Sequence, residues 1–384
     1  MIYLDYNATT PLSKKARKAI SNSLNIYGNP SSLYTIGLES KRLVDRSRQT
    51  VANLVNANPS QIVFTGCATE SNNSVISSCV DSYSNRPLHI ITTSVEHSAV
   101  LETVKYYQMY RNVDVTYLPT DSTGRISLDD LSNSLRDDTI LVSIMMVNNE
   151  IGNIYDIKRL CSIVHSFNSN IKFHTDATQA VGKMVINVKD LDVDFLTISG
   201  HKFYAPKGIG ALYIKDSTKF LPFMRGGHQE CGLRAGTENL LSIIALGAAA
   251  EETKSFSDYN RIADLRDYIE NRVLQFVQPS RVIGDIQSRV CNTSCLLFDN
   301  YNGIDICTLL DSFPENERVA ISSGSACNSI ELVPSHVMRA LGIEHIPIRI
   351  SLGRYTTREE LDMFLRALMK TVNIIKKDKR RFVL

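Results

Sequence analysis

The chain has 384 residues, 43% of them hydrophobic and 21% charged, which is enough for more than one buried core and excludes a disordered, collagenous or single small-module protein. Its 42 Lys and Arg against 40 Asp and Glu leave a formal net charge of +2, so no overall field points to nucleic acid or a membrane as partner. Eight cysteines, spread from Cys67 to Cys327 without metal-finger spacing, read as reduced and mostly buried thiols rather than a disulfide framework.

In chain order, Met1 to Pro11 has no charged segment followed by an apolar one, and no later stretch approaches the roughly 20 apolar residues that cross a bilayer, so a cytoplasmic protein is expected. From Ser13 to Val55 the spacing predicts helices, interrupted by the turn-rich Tyr27-Gly28-Asn29-Pro30-Ser31-Ser32. Gln61 to Thr65 reads as a strand, the segment after Thr69 as a helix, His89 to Thr93 as a strand and Ser98 to Tyr110 as a helix. Further strands are expected at Val113 to Leu118, Ile140 to Val147, Ile171 to His174, Phe195 to Ser199 and Ala211 to Ile214, mostly with helices between them. Such alternation favours an α/β layer with a largely parallel sheet. Ser242 to Val277 reads as helical. Strands near Cys295 to Phe298, Val319 to Ser322 and Ile348 to Leu352 then alternate with helices as a smaller C-terminal α/β domain.

Three segments carry chemistry. Ser199-Gly200-His201-Lys202 follows a buried-strand pattern, and a lysine there, beside hydroxyl and imidazole donors, suits Schiff-base chemistry near an anionic phosphate. Phe173 to Gln179 puts Asp176 at the end of another strand, where an α/β sheet builds its ligand site and where an acid can pair with a pyridinium nitrogen. Gly66 to Asn72 joins a strand to a helix whose first amides can hold a phosphate. Each alone also fits a surface lysine or an ordinary helix cap. Together they supply the anchor, the nitrogen partner and the phosphate cradle of a pyridoxal phosphate enzyme.

At this point the chain resembles the cysteine desulfurases of the class-V aminotransferase family, pyridoxal phosphate enzymes that take sulfur from L-cysteine. The matching stretches are Tyr3 to Pro11, Gly28 to Ser32, Ala68 to Asn73, Glu96-His97, Val147 to Gly152, His174 to Gln179, Ser199 to Lys202, Arg234 to Asn239 and Ser322 to Cys327. They run in family order along nearly the whole chain. The resemblance implies the fold-type-I architecture of pyridoxal phosphate transferases: a large α/β domain with a mainly parallel seven-stranded sheet, and a smaller C-terminal α/β domain. The corresponding division is residues 13–255 for the large domain and 256–384 for the small one, with 1–12 belonging to the small domain.

It further implies that Lys202 carries the cofactor, Asp176 keeps its ring nitrogen protonated, Gln179 hydrogen-bonds its phenolic oxygen with Asn149 close by, and His97 stacks on the ring and handles protons. Ala68, Thr69, Ser199, His201 and Thr237 from a second subunit would hold the phosphate, so a homodimer is implied. Arg349 would receive the substrate carboxylate through its bidentate fork, assisted by Asn29 and Asn149. Cys327, in a Ser-Gly-Ser loop, would be the nucleophile that takes sulfur as a persulfide and passes it to a protein acceptor, with L-alanine released.

The rival readings are a selenocysteine lyase or cysteine-sulfinate desulfinase using the same site, and a non-catalytic relative, which the presence of both Lys202 and Asp176 disfavours. Departures from the family pattern occur at Cys67, His228 and Cys231, and around Ile330-Glu331-Leu332. The short C-terminal segment leaves the acceptor open among iron–sulfur assembly, tRNA thiolation and DNA phosphorothioate modification. The basic run Lys376 to Arg381 reads as a solvated helix end without direct nucleic-acid binding. Cys291 and Cys295 lack a second ligand pair, so no metal is assigned.

Overall fold

The structure is a computed structural model that describes residues 1–84, 86–255, 258–324 and 333–381. The chain begins with strand β1 (Ile2–Tyr3), helix α1 (Lys14–Ser23) and helix α2 (Thr35–Leu54). An alternating run follows: β2 (Ile62–Thr65), α3 (Ala68–Asp81), β3 (Leu88–Thr93), α4 (Ser98–Arg111), β4 (Val113–Leu118), α5 (Leu128–Ser134), β5 (Thr139–Ser143) and α6 (Ile157–Phe167). It continues through β6 (Lys172–Asp176), α7 (Val188–Leu191), β7 (Phe195–Ser199), β8 (Gly210–Ile214) and α8 (Leu240–Lys254). The remainder is α9 (Tyr259–Phe276), β9 (Ser280–Ile283), β10 (Thr293–Phe298), α10 (Gly303–Ser312), β11 (Val319–Ala320), α11 (His336–Ala340), β12 (Ile348–Ser351) and α12 (Arg358–Arg381).

Seven strands form one sheet in the order β2-β8-β7-β6-β5-β3-β4, in which β8 alone runs against its neighbours. The mainly parallel α/β expectation is therefore met, and the reversal at β8 has a local cause. Only residues 200–209 separate β7 from β8, too few for the helical crossover that a parallel partner requires. Strands β5 and β7 are buried along their whole length, as a sheet covered by helices on both faces demands. The largest core lies here, with Phe173, Leu196, Ile198 and Phe203 sealed from solvent.

The second core belongs to the antiparallel sheet β12-β10-β9 and to α9, α10 and α12. The N-terminal residues join it: β1 pairs with β11, Leu4 N donates to the Ala320 carbonyl at 2.9 Å, and Ile2 and Leu4 pack among Phe298, Ile348 and Phe364. Six residues further on, the Thr10 amide donates to the carbonyl of His201 at 2.9 Å. The first ten residues thus run from one core to the loop after β7.

Three expectations need correction. The strand expected over 140–147 ends at Ser143, because the Met145 amide turns to the buried carboxylate of Glu96, at 2.9 and 3.1 Å, instead of a neighbouring strand. The helical region expected over 242–277 is two helices. Ser255 Oγ donates to the Glu251 and Glu252 carbonyls, competing for the last turn of α8. The cysteines are also less uniformly buried than expected: Cys79, Cys161 and Cys295 are buried, whereas Cys67 and Cys231 are exposed.

Below β6 and β7, on the edge away from their C-terminal ends, His165 on α6 lies 3.3 Å from both Asp192 and Asp194 and 3.6 Å from Cys161 Sγ. The Asp194 hydrogen bond, then that of Cys161, pushes its imidazole up to about 10. An imidazole raised in the folded state stabilises fully below its unfolded value of about 6.5, and that contribution is lost as pH climbs through the raised value. Thermal melts should therefore show wild-type protein losing about 1 kcal/mol relative to His165→Gln between pH 6 and pH 10, after allowance for solvent screening. Parallel melting curves for the two proteins across that range would contradict the assignment.

Candidate active site

Strands β2, β3, β5, β6 and β7 end on the same edge of the sheet, and their following loops build a cavity of about 260 Å³ there. Its walls include Ala68, Thr69, His97, Asn149, Asp176, Gln179, Ser199, His201, Lys202 and Arg349, residues scattered over 281 positions of sequence (349 − 68).

The floor is set by β6 and β7. Asp176 ends β6, where its Oδ2 accepts from Asn72 Nδ2 at 2.7 Å and its Oδ1 from the Thr178 amide at 2.9 Å. Two directional bonds hold the carboxylate in one rotamer facing the cavity. Behind it, His174 is wedged between Ser143 Oγ, at 2.8 Å, and Thr197 Oγ1, at 3.0 Å, and burial pushes its imidazole down to about 4, so it is neutral. Lys202 follows β7 on a short turn, and its Nζ donates to the main-chain carbonyls of Asn7 and Ala8, both at 2.7 Å.

One end of the cavity is the start of α3. The capping residue Cys67 makes no side-chain bond to the first turn, so the amides of that turn are left to a ligand, and the helix dipole favours an anion there. Glu70 turns away from this end, tied to Arg234 Nε at 2.9 Å and to the Gly66 amide at 2.8 Å. His201 lines the wall as a neutral ring, pushed down to about 4 by burial, with Nδ1 3.1 Å from Thr9 Oγ1.

His97 caps α4: its Nδ1 accepts from the Ala99 amide at 3.1 Å, so the proton of the neutral ring sits on Nε2. Burial, more than the neighbouring Lys202, lowers its basicity and keeps it neutral. Opposite the floor, Arg349 on β12 is 2% exposed, with Nη2 on Asp5 Oδ1 at 2.6 Å and Nη1 on the Asn149 carbonyl at 3.0 Å. These bonds aim the guanidinium, while its Nε has no partner among the described residues.

Cys327 lies outside the described residues, but both flanks of its segment are fixed at the cavity. On the entering side, Ser322 exchanges backbone hydrogen bonds with Arg349 at 2.6 and 3.3 Å. On the leaving side, Ser335 Oγ donates to Glu150 at 2.6 Å and His336 Nε2 to the Glu96 carbonyl at 2.8 Å, next to His97.

Two expected residues are not brought to this cavity by their own chain. Asn29 is exposed and accepts from the Ser31 amide at 2.9 Å within its own turn, and Thr237 lines a separate cleft beside Gly66, Glu230 and Asn239. Asn7, which the sequence alone does not mark, is central to the site. Its Nδ2 donates to the Asn149 carbonyl (3.1 Å) and Thr293 Oγ1 (2.9 Å), and its Oδ1 accepts from Asn292 Nδ2 (3.1 Å) and Lys183 Nζ (2.7 Å). The only sequence signal was its place in the motif Tyr3 to Pro11, since partners up to 286 positions away leave no local pattern.

The donor set fits pyridoxal phosphate. A single-ring ligand suits the volume, the unclaimed first-turn amides of α3 suit its phosphate, and Asp176 suits its pyridinium. The buried hydroxyl of Thr178, without a partner among the described residues, adds an unmet polar group in the wall.

Comparison with known proteins agrees with this geometry. The family description "Aminotransferase class-V" matches residues 2–364. The chain is 42% identical to "Cysteine desulfurase IscS" of Dictyoglomus turgidum, over 97% of this chain and 94% of the relative. It superposes on a solved "NIFS-LIKE PROTEIN" with a TM-score of 0.89 and 33% identity, covering 97% of this chain and 99% of that one. A structure described as "SspA in complex with cysteine" superposes with a TM-score of 0.81 and 32% identity, covering 93% of this chain and 100% of that one.

The Asn7 network yields a stability prediction. Asn7→Ala removes four side-chain hydrogen bonds and leaves Lys183 Nζ and Asn292 Nδ2 one acceptor fewer each, with Gln179 Oε1 and the Leu352 carbonyl still in place, at a cost of about 3 kcal/mol in urea unfolding. A loss below about 0.5 kcal/mol, the range of ordinary surface changes, would mean that the carboxamide holds nothing together.

Proposed function

The chain belongs to the class-V aminotransferase family and is a pyridoxal phosphate-dependent cysteine desulfurase, and we propose the following division of labour among its residues. Lys202 carries the cofactor. Asp176 faces its ring nitrogen, Gln179 its phenolic oxygen, and His97 its ring face, while Ala68, Thr69, Ser199 and His201 take the phosphate. When bound, the cofactor supplies an electron sink for bond changes at the α- and β-carbons of the amino-acid substrate.

The chain's residues then act in a definite order. Arg349, aimed by Asp5 and the Asn149 carbonyl, receives the carboxylate of L-cysteine, with the Asn149 side chain beside it. The Lys202 amine would take the α-proton, and His97, in the cavity wall, offers its Nε2 hydrogen. The Cys327 thiolate attacks the substrate sulfur. An S–S bond forms, the substrate C–S bond breaks with its electron pair left on carbon, and protonation there completes L-alanine. The persulfide on Cys327 passes to a protein acceptor. The observation that carries this assignment is the attachment of both flanks of the Cys327 segment to the cavity, one to Arg349 and the other beside His97.

The assignment also divides the chain as residues 1–12 with 256–384, and 13–255. It includes a homodimer, in which Thr237 serves the phosphate end of a second copy's cavity. Support comes from the exposure of Thr237 and from its cleft, whose lining includes Gly66, the residue before the Cys67 cap of α3.

Two variants test the roles. Lys202→Ala should abolish the visible absorption of protein supplied with pyridoxal phosphate. Cys327→Ala should keep that absorption and its response to L-cysteine, while persulfide disappears and alanine formation falls at least ~10³-fold. Wild-type rates from Cys327→Ala would assign sulfur removal to another group and favour a lyase that needs no protein thiol.

A further inference from the structure

Lys183 stands one turn beyond Gln179 and takes no part in the chemistry assigned above. The tight turn Val181 to Met184, in which Gly182 has φ +79°, carries Lys183, which lines a small pocket together with Lys202, Cys291 and Asn292. There its Nζ donates to Asn7 Oδ1 at 2.7 Å and to Gln179 Oε1. Gln179 Nε2 in turn donates to the main-chain carbonyl of Asn7 at 2.9 Å, the same oxygen that accepts from Lys202 Nζ at 2.7 Å. Two amines and two carboxamides therefore form one connected network, with no carboxylate bridged to Lys183 among the described residues. Its charged neighbours are Lys202 and Arg349, and the Cys291 thiol is also close enough to act on it. Burial pushes the amine well below the ordinary lysine range, so it serves as a hydrogen-bond donor rather than as one half of an ion pair.

A carboxamide has an accepting end and a donating end, and nothing in its shape decides which faces a ligand. A lysine amine beside it does decide, because protonated it can only donate and neutral it still donates twice; on the other end the Asn7 carbonyl, which can only accept, turns Gln179 the same way. We infer that Lys183 is a positioning residue: it holds the oxygens of Asn7 and Gln179 so that Gln179 presents N–H, rather than C=O, to the phenolic oxygen of pyridoxal phosphate. This rests on the placing of Gln179 at that oxygen. It deepens that reading by making the orientation of Gln179 depend on a residue that touches neither cofactor nor substrate.

The test is a double-mutant cycle of Lys183→Met and Gln179→Leu. Apoprotein of each variant is titrated with pyridoxal phosphate, and affinity, absorption spectrum and Tm are recorded. Loss of one oriented hydrogen bond predicts about 10-fold weaker binding for either single variant, with intensity moving from the visible band toward the near-ultraviolet. Because Lys183 acts through Gln179, the double variant should bind no more weakly than Gln179→Leu alone. Additive losses, or a Lys183→Met protein with lowered Tm but wild-type affinity and spectrum, would overturn the inference and leave Lys183 a purely structural residue. Should Lys183→Met fail to fold, Lys183→Gln, whose amide is too short to reach both acceptors, goes through the same cycle with the same two outcomes. Wild-type protein that takes up no pyridoxal phosphate would instead reject the site assignment, and the inference with it.

Discussion

The architecture depends on one buried residue, Asn7, through which the N-terminal segment is fastened between two cores. Its main-chain carbonyl receives Gln179 and Lys202, while its side chain joins Asn149 and Lys183 from one side to Asn292 and Thr293 from the other. A buried carboxamide has four hydrogen-bonding positions, and here each has a partner, so the segment can sit in one place only. The alternation of strands and helices would build the sheet without this residue, but it would not bring β12 and its arginine to face the ends of β6 and β7.

Burial then sorts the charges. The imidazoles near the cavity, His97, His174 and His201, are all held neutral, chiefly by desolvation. Lys183 is driven the same way. The charge-bearing side chains around the cavity each have fixed partners: Arg349 lies on Asp5, Glu70 on Arg234 at the start of α3, Asp176 accepts from Asn72 and the Thr178 amide, and Lys202 donates to the Asn7 and Ala8 carbonyls. An anionic ligand with a protonated ring therefore meets neutral donors along most of the wall, a helix N-terminus at one end, and formal charges where its own charge has to be matched. Such a wall is preorganised, since hydrogen bonds on the far side of each group set its direction before any ligand enters.

Much of this was legible in the chain. Strands β5 and β7 are mostly apolar because strands covered on both faces need no polar alternation, and the residues just after such strands are where an α/β sheet places its chemistry. Lys202, Asp176 and the Gly66 to Asn72 turn were readable for that reason. The reversal of β8 was not, because strand direction follows from the length of a connection and not from the composition of the strand. The short extent of β5 depended on Glu96, a buried acid 49 residues away that claims an amide the strand pattern would have assigned to the sheet. Asn7 and Lys183 are not legible because a polar residue with distant partners looks, in one dimension, like any solvent-facing residue. Thr237 and Asn29 read as site residues by resemblance, yet a single chain keeps both out of its own cavity.

Two lysines approach the same carbonyl network from different turns, with opposite proposed tasks: a covalent bond to the cofactor for Lys202, and orientation of its neighbours for Lys183. Borohydride reduction of the cofactor-loaded protein, followed by peptide mass spectrometry, separates these tasks directly. The pyridoxyl group is expected on Lys202 alone. Finding it on Lys183, or on neither lysine, would contradict the assignment from which the rest of the mechanism follows.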